Sequence, residues 1–460
     1  MAANAAAALT AVQRFGLGAG PGDLNAAARD PRGWVASAIG VAGQPPEPSE
    51  APRAEDGLRL FLTRREVLRT ARPAAGAAPM ANGMAADPPA KPSFVGPGEV
   101  LGKALTARLE TAIRTPAPLE ERLAAFWMDH FTASASAGFT GYFLDAYERE
   151  AIRPHLFGRF AEMARAAVLH PAMLFYLDNR NSTGPGSRMG QSSRGRRGLN
   201  ENLAREALEL HTLGVDGGYT QDDVIAFAKV LTGWSVDVAP DATGDRLGFF
   251  AGRHEPGPKT VLGRTYPQDG PDQAVAVLND LARHPATARH VARRMVRHFV
   301  GHGLPGLEAR IAEVFRRSEG DLGAVTRALI ADDEAWGPPR KVRSPVELLM
   351  ATARLMGGLQ QPPPARRVLI AMGQPFWAPP SPKGWPIEDD AWAAPDAIKT
   401  RLDWASELAA RAAPHTDARA LLDTAFGSAA SAETRRAVER AADGRQALTL
   451  LVLSPEFQRR

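Results

Sequence analysis

The sequence predicts a mainly α-helical protein: a large multi-helix domain with long Pro/Gly-rich loops and one small β-hairpin. Three observations carry that expectation. Apolar residues recur at helical spacing through most of the 460 residues. A polar residue followed by proline opens several of these segments, as in HPAMLFYL (170–177), HPATARHV (284–291) and SPEFQRR (454–460). In that signature the polar side chain caps the helix and proline takes its first turn. Finally, no long alternation of strand and helix appears, which argues against a parallel α/β fold.

In chain order, residues 1–41 read as an N-terminal helical segment. Residues 42–98 read as a flexible Pro/Ala/Gly-rich insertion carrying one helix at 58–70. Residues 99–460 form the main helical domain, continuous with 1–41. Its helices are expected at 118–132, 143–156, 160–168, 172–177, 200–213 and 221–231. Others follow at 271–283, 286–301, 307–317, 321–331, 345–357 and 399–412, with two more near the C-terminus. The expected hairpin pairs GFFAGRH (248–254) with KTVLG (259–263) across the turn Glu255-Pro256-Gly257-Pro258.

Composition narrows the chemistry. The chain has no cysteine, which excludes disulfides, thiolate zinc sites, iron–sulfur clusters and cysteine nucleophiles. No nucleotide or haem signature appears either, and any divalent metal would rely on His, Asp, Glu or Asn. A net charge of +4 is small for this length and argues against a nucleic-acid binder. No apolar run is long enough to span a membrane. The N-terminal MAANAAAALTAVQRFGLGAG lacks a charged region ahead of an apolar stretch. The default location is therefore cytoplasmic, with periplasmic or secreted as the alternative. Only seven of the 55 basic residues are lysine. A lysine kept against such a bias is a chemical candidate, and Lys259 and Lys383 lie in short Pro/Gly loops.

The most distinctive stretch is LNENLAREALELHTLGVDGGYTQDDVIAFAKVLTGW (199–234). At about 100° per residue, Leu199, Leu203, Ala207, Leu210 and Gly214 form its buried face. Asn202, Glu206 and Glu209 then make a polar stripe at the core boundary. His211 falls on the opposite side, about 140° from Glu206, so a straight helix cannot turn both toward one ion. Thr220 and Asp223 form a capping box. In the 118–132 helix, His130 shares the apolar face of Leu123 and Trp127, and a buried imidazole needs a partner. Asp129 points away from it by about 100°.

The hairpin adds His254, Glu255 and Lys259. A Gly/Ser/Arg loop at 179–198 carries Arg194, Arg196 and Arg197, whose guanidinium groups suit anions. Trp377, Trp385, Trp392 and Trp404 fall within one Pro-rich region. They form either a platform for flat-faced ligands or a clamp for the loop.

These motifs, with RFGLGAGPGDL (14–24), ERLAAFWMDHF (121–131), KVRSPVELL (341–349) and GQPFWAPPSPKGWP (373–386), resemble the bacterial family known as domain of unknown function 1800. The resemblance implies a large helical protein, often exported, with a sulfatase-like partner encoded nearby and a place in a cell-envelope pathway. It carries no established activity. Two departures stand out: this chain shows no leader, and Met128-Asp129-His130 replaces a frequent His-x-His.

The expected activity is a hydrolase or lyase acting on an envelope glycan or anionic sugar by general acid/base chemistry, metal-assisted or not. His130, Glu206, His254 and Lys259 are the candidate catalytic residues. Asn202, Glu209, Arg194, Arg196, Arg197, Lys383 and Trp385 are the candidate substrate-binding residues. In this expectation the elements carrying them face one another across one pocket. The alternative is a non-catalytic helical scaffold for the sulfatase-like partner. Substrate and oligomeric state are not encoded in any motif.

Overall fold

A computed structural model describes residues 2–40, 52–71, 93–192, 198–239, 246–358 and 364–460. The fold is mainly α, with two small antiparallel two-stranded sheets among the described residues. Arg194, Arg196 and Arg197 lie outside those residues, as do 42–51 and 72–92 of the expected insertion.

Local chemistry explains where the helices begin. His170 Nδ1 accepts from Ala172 N at 3.1 Å and His284 Nδ1 from Ala286 N at 3.2 Å. Each thereby satisfies a first-turn donor while the following proline needs none. Ser454 caps the Pro455–Gln458 helix in the same way. The Thr220–Asp223 capping box closes reciprocally, with bonds of 2.8 and 3.2 Å. The helix expected at 143–156 breaks into Leu144–Tyr147, a π turn at Glu148–Ile152 and a 3-10 turn at Arg153–His155. Pro154 lacks the N–H that a continuous helix would need there.

Among the described residues two large apolar cores result, with a third small cluster of Leu17, Ala112 and Met350. The larger joins side chains from Ala8 to Ala335, including Trp127, Phe131, Phe160, Phe227 and Phe299. Leu123 and Trp127, one turn apart, are both fully buried, and each such side chain contributes about 1.5–3 kcal/mol. The second core is built from the Pro345–Leu355, Pro395–Ala412, Ala418–Phe426 and Gly444–Leu453 helices. The Pro97–Arg114 helix straddles the two, giving Leu101 to the first and Leu105 to the second. Trp377 packs against both. The helix at Ala54–Thr70 docks onto the first core through Leu58 and Phe61, the latter edge-on to Phe175 at 5.5 Å.

The small hairpin is present with different partners from those expected. Strand β1 (Trp234–Val236) pairs with β2 (Leu247–Phe249), placing Trp234 opposite Phe249. Strand β3 (Lys259–Val261) pairs with β4 (Arg264–Tyr266) around Leu262-Gly263. Both turn residues have positive φ, 51° and 72°, the backbone a tight two-residue hairpin requires. The Glu255–Pro258 segment is not a hairpin turn. The Glu255 carboxylate instead accepts from Gly186 N at 2.6 Å.

Candidate functional site

His130 ends the Pro118–His130 helix and is 1% exposed, walled by Trp127, Phe131 and Phe160. Its Nε2 donates to His211 O at 3.0 Å, and His290 Nε2 donates to Leu210 O at 2.8 Å. Both acceptors belong to a π turn, Ala207–Thr212. These histidines satisfy carbonyls that the end of a helix leaves bare. The wide turn also carries His211 inside, to 0% exposure, where a straight helix would have kept it off the buried face. Burial and the nearby Arg294 guanidinium push His130 well below its ordinary pKa and His211 to about 3, and burial brings His290 to about 4. All three are neutral rings serving the core. Gly214, at φ +85°, is needed here because a Cβ would stand 2.9 Å from His290 Nδ1.

The other expected residues form separate groups. Glu209 accepts from Tyr219 OH at 3.0 Å. Burial, with Glu209 beside it, raises the Glu206 carboxyl. Asn202 is exposed at the head of the same helix. His254 Nδ1 donates to Thr232 O at 2.8 Å, and its Nε2 faces Lys259 Nζ at 3.5 Å and Asp269 at 3.3 Å. Lys259 Nζ also donates to Glu255 O, and burial lowers its pKa. No hydrogen bond, ion pair or ring contact joins His130, Glu206 and the His254–Lys259 pair among the described residues. The direct contacts of these residues fall into three local sets, and none of the four candidate catalytic residues lines the tryptophan-walled cleft between the two cores.

The Lys383–Trp385 loop closes over something else. Between the two cores lies a partly open cleft of about 140 Å³. Its walls include Phe376, Trp377, Trp385 and Trp392. Phe376 and Trp377 stack at 4.3 Å, and Trp377 holds φ +50°, a strained backbone for a bulky side chain. Lys383 is exposed beside the loop.

Asp129 enters this cleft from the last turn of the His130 helix. The 100° offset that turns His130 into the core turns Asp129 out of it. Asp129 Oδ1 accepts from Trp385 N at 2.7 Å, and Oδ2 faces Arg294 Nη2 at 3.4 Å. Burial raises its carboxyl to about 6, although Arg294 and the Trp385 N–H both oppose the shift. Gly384 makes the approach feasible: at φ +86°, its Cβ would lie 2.6 Å from Asp129 Oδ1.

Glu347, Lys341 and Arg460 also line the cleft. Glu347 Oε1 receives Arg122 Nη1 at 2.6 Å and Arg460 Nη2 at 2.7 Å. Those guanidinium groups hold the Glu347 carboxyl well below the usual range against the opposing effect of burial.

The profile of the family described as protein of unknown function (DUF1800) matches residues 10–459. The chain belongs to the DUF1800 family. No curated protein and no solved structure matches it. In this DUF1800 protein no helix among the described residues is long and apolar enough to cross a membrane. Among the same residues no group of three or more His, Asp or Glu is arranged to hold a metal ion.

Sequence reasoning found the tryptophan loop but not Asp129, Lys341 or Glu347. In the sequence Asp129 shows only as a residue pointing about 100° away from His130 and as part of the departure from His-x-His. Lys341 was one of seven lysines, in a segment that reads as a helix start.

Proposed function

We propose that this DUF1800 protein is a hydrolase or lyase acting on a glycan or anionic sugar bound in the tryptophan-walled cleft. One observation carries the reading: a carboxyl raised to about 6 stands in that cleft, fixed by the Trp385 backbone N–H. A group titrating near neutrality is suited to give and take a proton. Indole faces stack well on the apolar faces of sugar rings. In this reading Asp129 protonates the leaving oxygen as the C–O bond breaks, and the carbon either gains a water oxygen (hydrolase) or the neighbouring carbon loses a proton (lyase), while Trp377 and Trp385 hold the flanking rings. Arg294 and the Trp385 N–H orient the carboxyl. A cell-envelope sulfated sugar would link the cleft to the sulfatase-like partner that the family resemblance implies.

The test is reducing-end release from a panel of bacterial envelope polysaccharides, with binding followed by tryptophan fluorescence. Asp129→Asn should lower turnover by about 100-fold or more while retaining binding. Equal turnover in the variant would overturn the role of Asp129. Binding without cleavage of any polymer would transfer the cleft to the non-catalytic scaffold reading.

A further inference from the structure

The floor of the cleft carries more positive charge than its carboxylates balance. Lys341 and Arg460 line it at 4% and 3% exposure, and Arg122 and Arg343, at 2% and 1%, belong to the same buried cluster of charges. Arg401, equally buried, donates to Arg343 O at 2.6 Å. Among the described residues, the carboxylates paired with this group are Glu347 and Asp389. Glu347 is already shared between Arg122 and Arg460, and its Oε2 is taken by Ser344 N at 2.9 Å. Asp389 stands 3.4 Å from Lys341 Nζ, which also donates to Ile387 O.

Several polar atoms have no hydrogen-bond partner. They are Arg343 Nε and Nη2, Arg460 Nε and His298 Nε2. His298 lines the cleft together with Lys341 and Arg460. Buried cations demand counter-charge, and low dielectric surroundings sharpen the demand. Burial first, and then the neighbouring Arg460 charge, lowers Lys341 and His298. Lys341, His298 and Arg460 are the members of this cluster that line the cleft, so the cleft is the side on which an anion would meet it.

We propose that the cleft floor is an anion subsite, in which Lys341 and Arg460 receive a carboxylate or sulfate group of a sugar stacked on the tryptophan walls. The inference rests on reading the cleft as the ligand site and narrows its ligand to an acidic sugar. Arg460 Nη1 and Nη2 are committed to His298 O and Glu347, which leaves its Nε and the Lys341 ammonium as the donors offered to an anion. Glu347 then acts as the group that holds the Arg460 guanidinium in place.

The experiment is a tryptophan-fluorescence titration of the full chain with matched probes. These are a neutral hexose disaccharide, the same disaccharide ending in a uronic acid, its 6-O-sulfate, and inorganic sulfate alone. The acidic sugars should bind at least about 10-fold more tightly than the neutral one, weakening as salt rises. Lys341→Met should remove that advantage and Lys341→Arg should restore it. Equal affinity for neutral and acidic sugars overturns the anion subsite and leaves the glycan reading standing. Failure of every sugar to bind overturns both. If Lys341→Met does not fold, the wild-type comparison and its salt dependence still decide the matter.

Discussion

Asp129 Oδ1 accepts the backbone N–H of Trp385 at 2.7 Å, across 256 residues of sequence. That single bond couples a carboxyl raised to about 6 to the aromatic wall of the cleft. Ionisation of Asp129 strengthens the bond and should change the environment of the Trp385 indole. Intrinsic fluorescence should therefore show a transition with a midpoint near pH 6, absent in Asp129→Asn. A flat profile in the wild type would contradict the raised carboxyl.

Stability should follow the same titration. The folded-state pKa of Asp129 lies above the unfolded value, so the native state holds its proton more tightly. That contribution is complete below about pH 3.9 and is lost as pH rises through about 6. Asp129→Asn has no charge to desolvate. Urea unfolding should show it gaining about 1–3 kcal/mol on the wild type between pH 4 and pH 8. An opposite trend would mean that Arg294 dominates the carboxyl after all.

Glycine substitutions separate backbone strain from collision. Gly357, at φ +64°, has nothing within 4 Å of an added Cβ, whereas at Gly384 that atom would meet Asp129 Oδ1 at 2.6 Å. Gly357→Ala should cost about 1–2 kcal/mol from the left-handed backbone alone. Gly384→Ala should cost more and also abolish the pH 6 fluorescence transition. Chemical denaturation with the fluorescence titration checks both.

Glu347→Gln should destabilise the protein by about 3–5 kcal/mol, because it leaves Arg122 and Arg460 without their counter-charge. The wild-type carboxyl is depressed by those partners, so its stabilisation is full above about pH 4.3 and is lost as pH falls through its lower folded value. Denaturation curves at pH 3 and pH 7 should therefore show a smaller gap between the two proteins at pH 3 than at pH 7.

His130→Phe keeps a flat aromatic ring, slightly larger than imidazole, but removes the donor to His211 O. Stability should fall by about 1–3 kcal/mol, with turnover per folded molecule unchanged. A selective loss of turnover would return His130 to the reacting groups.

Helix positions were legible because their causes are local. Pro171 and Pro285 with their histidine caps, and the Thr220–Asp223 box, announce their own starts. Pairing was not legible: Trp234 and Phe249 find each other across a loop, and nothing adjacent to either residue encodes the partner. The π turn at Ala207–Thr212 hid His211 for a related reason. An angular projection at about 100° per residue assumes a regular helix, and the extra residue is held by His130 and His290 from elsewhere in the chain. For the site, the tryptophan cluster stood out by composition, whereas Asp129 looked like the polar side of a core helix. Its chemistry comes from Gly384 and Trp385, which its own neighbourhood does not mention.

The bonds that converge on Glu347 have a kinetic consequence. Arg122 reaches it from 225 residues away and also donates to Gly16 O, while Arg14 spans 321 residues to Ala335 O. Closing loops of that length precedes any reward from the contacts they allow, so refolding should be slow and the cleft should form late. Helices near 160–176 and 271–299 can form early from local contacts, leaving a compact intermediate with unpaired arginines and no ligand site. Recovery of ligand binding after dilution from denaturant should then lag behind recovery of helical signal. The nascent protein would be a natural client for chaperones during that interval.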